Sequence, residues 1–192
     1  YDAQTYVERT CVEKENSAEQ SIEKFEEKIE QQKVAIITGE AGSGKSTLMK
    51  KIAKNFAEKF EKNLIIHFEF KSVSEKDVQK YEKNPQKLFH EKILNSRNKF
   101  EELLYDKCYN DNKIILLLDG FDETVPKVRD FLLKLMKKVF EETENKFLIS
   151  TRPQFVKELE ECFEVSAWQL SPMTPSQRKE FMGKLIEKAE NC

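Results

Sequence analysis

A glycine-rich stretch of eight residues constrains the fold of this 192-residue chain more than any other feature. The stretch reads Gly39-Glu40-Ala41-Gly42-Ser43-Gly44-Lys45-Ser46. It follows an apolar run at residues 34–38 that is typical of a buried strand. After it, apolar residues recur with the spacing of one helix face, at Leu48, Ile52, Phe56 and Phe60. The order of strand, glycine-rich turn and helix is typical of an α/β fold, with the turn at the carboxyl end of a strand.

This turn has the composition of a loop that binds the phosphates of a nucleotide. Glycines let backbone N–H groups converge on the phosphates, and the dipole of the following helix favours negative charge there. Lys45 is placed to reach the β- and γ-phosphate oxygens, and the Ser46 hydroxyl to bind magnesium. The alternative is a loop that only turns the chain. The expected nucleotide-binding residues are Gly39, Glu40, Ala41, Gly42, Ser43, Gly44, Lys45, Ser46 and Thr47.

Apolar runs alternate with helical patterns along the rest of the chain. The runs predict strands at residues 34–38, 64–70, 114–118, 146–150 and 163–168, and helices between them. This alternation predicts a doubly wound parallel sheet. We expect a helical lead-in over residues 1–32, with one helix at 16–32 capped by Ser17 and Gln20. A nucleotide-binding domain is expected at 33–170, and a further helical domain begins at 171–192 with a helix capped by Thr174 and Gln177.

Acidic residues follow the run Ile114-Ile115-Leu116-Leu117-Leu118, which predicts a central strand buried on both faces. Asp119 ends that strand and is our candidate for magnesium coordination. Gly120 stands where many P-loop ATPases carry a catalytic glutamate, so Glu123 is the candidate base and Asp122 a candidate to support the magnesium shell. The acidic pair could instead be a solvated loop or a helix N-terminus that favours negative charge.

An arginine follows the predicted strand at residues 146–150. Arg152 lies in Ser150-Thr151-Arg152-Pro153, and the carboxyl ends of parallel strands meet at one edge of a sheet. It is therefore a candidate catalytic residue that senses the γ-phosphate through a bidentate contact. A surface salt bridge is the alternative.

The composition limits which binding partners and which cellular location we expect for the protein. The 33 basic and 35 acidic residues nearly balance, with a net charge of −2, so no basic field predicts direct nucleic-acid binding. The four cysteines form no CxxC pair, which favours a reducing, cytoplasmic setting. No apolar run approaches the roughly 20 residues of a membrane span. Because the sequence begins at Tyr1 rather than Met, we expect a piece of a longer protein.

Three motifs together resemble those of the NACHT family: the glycine-rich loop through Thr47, Leu116-Leu117-Leu118-Asp119-Gly120-Phe121-Asp122-Glu123, and Ser150-Thr151-Arg152-Pro153. The resemblance implies a three-layer P-loop NTPase fold with sheet order 5-1-4-3-2. It implies ATP or ADP with Mg²⁺ as cofactors, with roles for Lys45 and Ser46 toward phosphate and magnesium and for Arg152 as sensor. Residues 6–10 would contact the adenine.

The resemblance also implies a signalling ATPase like those of NOD-like receptors in innate immunity. In that family ADP holds a closed state and ATP permits self-association or assembly with related NACHT proteins. We therefore expect a slow ATPase that acts as a regulatory switch in a larger chain. The alternatives are a P-loop kinase that phosphorylates a small acceptor and a scaffold that binds nucleotide without turnover. A GTPase is disfavoured because Asn145-Lys146-Phe147-Leu148 lacks the aspartate of N-K-x-D.

Overall fold

The structure is a computed structural model that describes residues 5–14, 18–94 and 99–190. The strands are β1 Thr10–Glu13, β2 Glu19–Ser21, β3 Val34–Thr38, β4 Leu64–Glu69, β5 Ile114–Asp119, β6 Lys146–Thr151 and β7 Trp168–Leu170. The α-helices are α1 Ile22–Gln31, α2 Lys45–Lys59, α3 Glu75–Tyr81, α4 Gln86–Leu94, α5 Lys99–Asn110, α6 Pro126–Glu142, α7 Val156–Phe163 and α8 Pro175–Glu190. Within these ranges, none of the helices combines the length and the apolar character that crossing a bilayer requires.

The sheet has the order β2-β1-β7-β3-β6-β5-β4. Strands β7, β3, β6, β5 and β4 are parallel to one another, and numbered along the chain they follow the order 5-1-4-3-2 that the resemblance implied. Strands β1 and β2 extend the β7 edge as antiparallel neighbours, and the sequence analysis did not predict them. The predicted α/β architecture with a parallel sheet is confirmed, with two additional edge strands.

The continuous apolar runs are explained by helices on both faces of the sheet. Alternate residues of β5 point to opposite sides, so Ile114, Leu116 and Leu118 join one hydrophobic cluster and Ile115 and Leu117 the other. The first cluster includes residues of helices α3 to α7, and the second includes residues of α1 and α2. A strand buried on both faces cannot show the alternation of a half-exposed strand, which is why β3 and β5 are recognisable from sequence.

The predicted lead-in helix was wrong at its start. Residues 16 and 17 lie outside the described part of the chain, and residues 19–21 form β2, whose Gln20 pairs with Cys11 of β1. Helix α1 begins only at Ile22, after Ser21 as N-cap. The predicted cap by Ser17 and Gln20 therefore does not open this helix. Pairing with the preceding strand β1 overrode the local helical pattern.

The predicted fifth strand was displaced along the sequence. Phe163 instead ends α7, and Glu164 has the left-handed backbone (φ 55°) that stops a helix. The strand lies at Trp168–Leu170. Between the predicted strands at 64–70 and 114–118 the described chain has the helices α3, α4 and α5, and residues 95–98 between α4 and α5 lie outside the described residues. The Thr174–Gln177 cap of the last helix is confirmed by reciprocal backbone hydrogen bonds of 3.2 and 2.8 Å.

Candidate nucleotide-binding site

The glycine-rich loop connects β3 to α2 through a tight turn. Gly42 and Gly44 adopt positive φ angles of 71° and 95°, which other residues rarely adopt. A Cβ on Gly39 would lie 2.7 Å from Ser43 Oγ, so a larger residue there would push into the turn. Gly44 is the N-cap of α2, which begins at Lys45. The N-terminus of a 15-residue helix thus lies at the loop, where it favours anions.

Lys45 lies over this loop. Its Nζ donates hydrogen bonds to the carbonyl oxygens of Gly39 at 2.6 Å and Glu40 at 3.1 Å. Burial lowers the pKa of Lys45, while the neighbouring Asp122 carboxylate acts in the opposite direction. The ammonium therefore lies within the loop itself, where the phosphates of a ligand would meet it.

A polar cleft of about 300 Å³, here called the phosphate cleft, lies against the loop. The structure brings the predicted site residues to it from three separate segments. Its lining comprises residues 41–47, Asp119, Gly120, Asp122, Glu123 and Arg152. Of the residues predicted to bind nucleotide, Gly39 and Glu40 are absent from this lining but accept the hydrogen bonds of Lys45.

Asp119 ends β5 inside the cleft, and its side chain is only 6% exposed. Burial would raise the pKa of Asp119, but the interactions with His67, Ser150 and Ser46 outweigh it and lower the pKa to about 2. Ser150 Oγ donates to Asp119 Oδ1 and accepts from the backbone N–H of Gly120 at 3.0 Å. The carboxylate is thus ionised and oriented next to the Ser46 hydroxyl. Ser46 and Asp119 fit the oxygen ligands that Mg²⁺ prefers.

The two remaining acidic residues of the cleft have different surroundings. Asp122 has a side chain that is 3% exposed and forms an ion pair with Arg152, with 2.8 Å between Oδ2 and Nε. Glu123 is exposed. A Cβ on Gly120 would lie 3.3 Å from Glu123 Cδ, and Gly120 has a φ of 77°. Arg152 therefore contacts a carboxylate within the cleft, whereas the Glu123 carboxylate is accessible to water.

An apolar cavity of about 510 Å³ adjoins the loop on its other side. Residues Ala41, Gly42, Ser43, Gly44 and Thr47 line both this cavity and the phosphate cleft. Of the predicted segment 6–10, Tyr6, Val7 and Arg9 line the cavity, but Glu8 and Thr10 do not. Its other walls include Leu170, Pro172, Met173, Arg178 and Phe181.

Several functional residues escaped the sequence analysis. His67 was not among the predicted site residues, yet its Nε2 lies 3.8 Å from Asp119 Oδ2. Ser150 appeared only as part of a motif, and its contact with Asp119 was not predicted. The cavity walls from β7 and α8 lie more than 120 residues from the loop in sequence, so no local spacing could reveal them. Only the contact of Ser150 with Asp119 could have been predicted from sequence, because the carboxyl ends of neighbouring parallel strands lie side by side.

The fold and the loop define a P-loop NTPase, a class of nucleotide-binding proteins. More narrowly, the model of the NACHT domain matches residues 33–189, and the chain belongs to the NACHT family. It is therefore a nucleotide-binding domain of that family. A search of curated proteins gives no match.

Three solved structures show similar chain traces. The ORC1 protein of Aeropyrum pernix, solved in complex with DNA, is 17% identical with a TM-score of 0.54, over 86% of this chain and 48% of that one. Domain III of the replication initiation protein DnaA of Thermotoga maritima is 19% identical (TM-score 0.49; 82% and 62% covered). PCH-2 of C. elegans is 16% identical (TM-score 0.48; 83% and 40% covered). The chain thus spans about half the length of these proteins, and the ORC1 likeness supports the fold alone.

Proposed function

We propose that the chain binds ATP or ADP with Mg²⁺ and acts as a slow regulatory switch that controls self-association of a larger signalling protein. One observation carries the proposal: the phosphate cleft and the apolar cavity are joined through the same five loop residues. A polar compartment and an apolar compartment on either side of a phosphate-binding loop match the two ends of a nucleotide.

Each compartment would hold one part of the ligand. Lys45 and the loop amides would bind the β- and γ-phosphates, and Ser46 and Asp119 would hold Mg²⁺. Magnesium would neutralise charge that develops on the phosphates. The adenine would lie in the apolar cavity beside Tyr6 and Val7. An adenine is favoured over guanine because Asn145 is fully buried and bonds to Ile114 N and Tyr109 O, each at 3.0 Å, instead of facing a ligand.

Slow hydrolysis follows from the acidic residues available. Asp122 is paired with Arg152, so its carboxylate is poorly placed to accept a proton from water. Glu123 is exposed and is the better candidate for the base. Gly120 carries no side chain at the position where other P-loop ATPases have a glutamate. A weakly positioned base would allow a nucleotide state to persist long enough to serve as a signal.

The switch would act through α8, because Arg178 and Phe181 of that helix line the apolar cavity. A ligand that contacts both the loop and α8 binds more tightly to the arrangement in which these elements are close. ATP and ADP would then favour different positions of α8 and of any domain attached to it, which could expose or cover an assembly surface. Cytoplasmic signal transduction, as in NOD-like receptors, is the setting that we propose.

Phosphate release and light scattering test this proposal on the purified chain. We expect release of far less than one phosphate per second, a further decrease in Glu123→Gln, and a larger particle with Mg-ATP than with Mg-ADP. If a small acceptor became phosphorylated and free phosphate were no longer released, the result would favour the kinase. Binding without any release or change in size would favour the scaffold, and identical release in Glu123→Gln would exclude Glu123 as the base.

A further inference from the structure

Arg9 is a buried cation that contacts the phosphate-binding loop on the side of the apolar cavity. The residue is 6% exposed, and its Nη1 donates a hydrogen bond of 2.7 Å to the carbonyl oxygen of Ser43. A Cβ on Gly44 would lie 3.2 Å from the same nitrogen. The guanidinium thus fills the space beside the last turn before α2. A carbonyl held by Arg9 cannot point toward the phosphates, where it would repel them.

The other arm of the same guanidinium contacts the connection to α8. Arg9 Nη2 donates to the carbonyl oxygen of Ser171, which lies directly after β7. Ser171 is itself 6% exposed, and its N–H donates to Thr10 O at 3.0 Å. One rigid, planar side chain therefore joins the loop to the segment that leads into the last helix. Lysine could not span both carbonyls with the same geometry, because it has one ammonium on a flexible stem.

The segment that carries Arg9, residues 5–10, is here called the strap. Its backbone holds α8: Gln177 Nε2 donates to Glu8 O at 2.8 Å, and Lys184 Nζ donates to Tyr6 O at 2.6 Å. Its side chains hold α2, since Lys51 pairs with Glu8 and lies 4.0 Å from the centre of the Tyr6 ring. The strap thus lies between the helix that begins at the loop and the helix that ends the described chain.

We infer that Arg9 is a positioning residue that keeps the phosphate-binding loop open to phosphates and transmits occupancy of that loop to α8 through Ser171. This inference rests on the proposed function and adds a second route to α8, which runs through Arg9 and Ser171. The transmission does not require the base of the nucleotide, because the two hydrogen bonds of Arg9 join the loop directly to Ser171. An anion that fills only the phosphate cleft should therefore affect α8.

The test measures hydrogen exchange of α8 amides and ADP affinity in the wild type, Arg9→Met and Arg9→Lys. Magnesium pyrophosphate is the second ligand, because it can occupy the cleft without reaching the apolar cavity. Lys146→Met is the matched control: Lys146 Nζ also donates to two backbone carbonyls, those of Ile29 and Glu30, but away from the loop. Arg9→Lys keeps a buried charge and provides a folded variant if Arg9→Met does not fold.

In the wild type and in Lys146→Met, pyrophosphate and ADP should both slow exchange in α8. In the Arg9 variants pyrophosphate should no longer do so, and ADP should bind about tenfold or more weakly, the size of one charge-assisted hydrogen bond. Wild-type affinity together with a normal α8 response in both variants would overturn the inference. The inference would also be overturned if pyrophosphate did not slow hydrogen exchange in α8 of a wild-type chain that binds ADP. A wild type that binds no ADP would instead overturn the proposed function, and this inference with it.

Discussion

Asp119 and Asp122 lie three residues apart but have different surroundings. Asp119 accepts a hydrogen bond from Ser150, and its interactions with neighbouring polar side chains keep it negative and oriented. Asp122 faces the full positive charge of Arg152. The surroundings of Asp119 suit a group that attracts Mg²⁺, and those of Asp122 suit a group that positions an arginine. Two nearby carboxylates are thus suited to different functions by their surroundings.

The environment of Asp119 predicts a contribution to stability that depends on pH. Its pKa falls from 3.8 to about 2 on folding, so the folded state favours the ionised form. The stabilisation is present above about pH 4 and is lost as the pH falls toward 2, and a shift of this size corresponds to about 2 kcal/mol. Urea unfolding at about pH 5 and about pH 2.5 should show a steeper loss in the wild type than in Asp119→Asn. Equal losses would contradict the account.

Arg152→Ala should weaken ATP more than ADP, because only ATP carries the γ-phosphate that the arginine would contact. We expect a loss of about tenfold or more for ATP and a smaller loss for ADP, measured by titration with fluorescent analogues. Any general disturbance from the unpaired Asp122 should reduce both affinities, so the ratio between them is the informative quantity. Asp122→Asn provides a variant in which the pair is broken but the arginine remains. An unchanged ratio in Arg152→Ala would argue against a γ-phosphate sensor.

The connections between strands and helices position the side chains of the site, and the turn after β5 is an example. Gly120 directs the chain from the strand into a short 3-10 helix at Phe121–Glu123 with a left-handed backbone. It also donates a hydrogen bond through its N–H to Ser150 Oγ. The turn therefore sets the directions of Asp119 and Glu123 together.

Gly120→Ala should destabilise the fold by about 1–2 kcal/mol, because an L-residue resists this positive φ. Gly183→Ala is the matched control: Gly183 lies in α8, and a Cβ there would meet no atom within 4 Å. Since alanine favours helices more than glycine does, the control should stabilise by up to about 1 kcal/mol. Chemical denaturation measures both. A Gly120→Ala variant as stable as the wild type would show that the turn relaxes without strain.

The sequence predicted those elements whose signals are local. Strand β3 was predicted with its correct bounds because all five residues are buried, and the glycine-rich loop because its chemistry is contiguous. Strand β2 was missed because its polar residues are held by pairing with β1, which depends on the folded chain. The contacts of Arg9 with Ser43 and Ser171 span 34 and 162 residues, so only tertiary structure reveals them.

At the scale of the whole molecule, α8 forms one border of the apolar cavity. The helix carries Met182, Leu185 and Ile186, which are 54%, 38% and 54% exposed. We propose that this apolar face packs against further helices, so that residues 171–192 begin a helical domain after a nucleotide-binding domain at 33–170. In that arrangement the apolar cavity lies between two domains, where small differences in the ligand alter their relative position.

Calorimetric titration of the chain with ADP, ATP and GDP in the presence of Mg²⁺ tests the central claim most directly. We predict one site per chain that binds ADP and ATP and binds GDP much more weakly. Lys45→Ala should abolish binding by removing the charge opposite the phosphates, whereas Lys54→Ala, which removes an exposed lysine from the same helix, should leave it unchanged. No binding of ADP or ATP, equal binding of GDP, or wild-type affinity in Lys45→Ala would contradict the account.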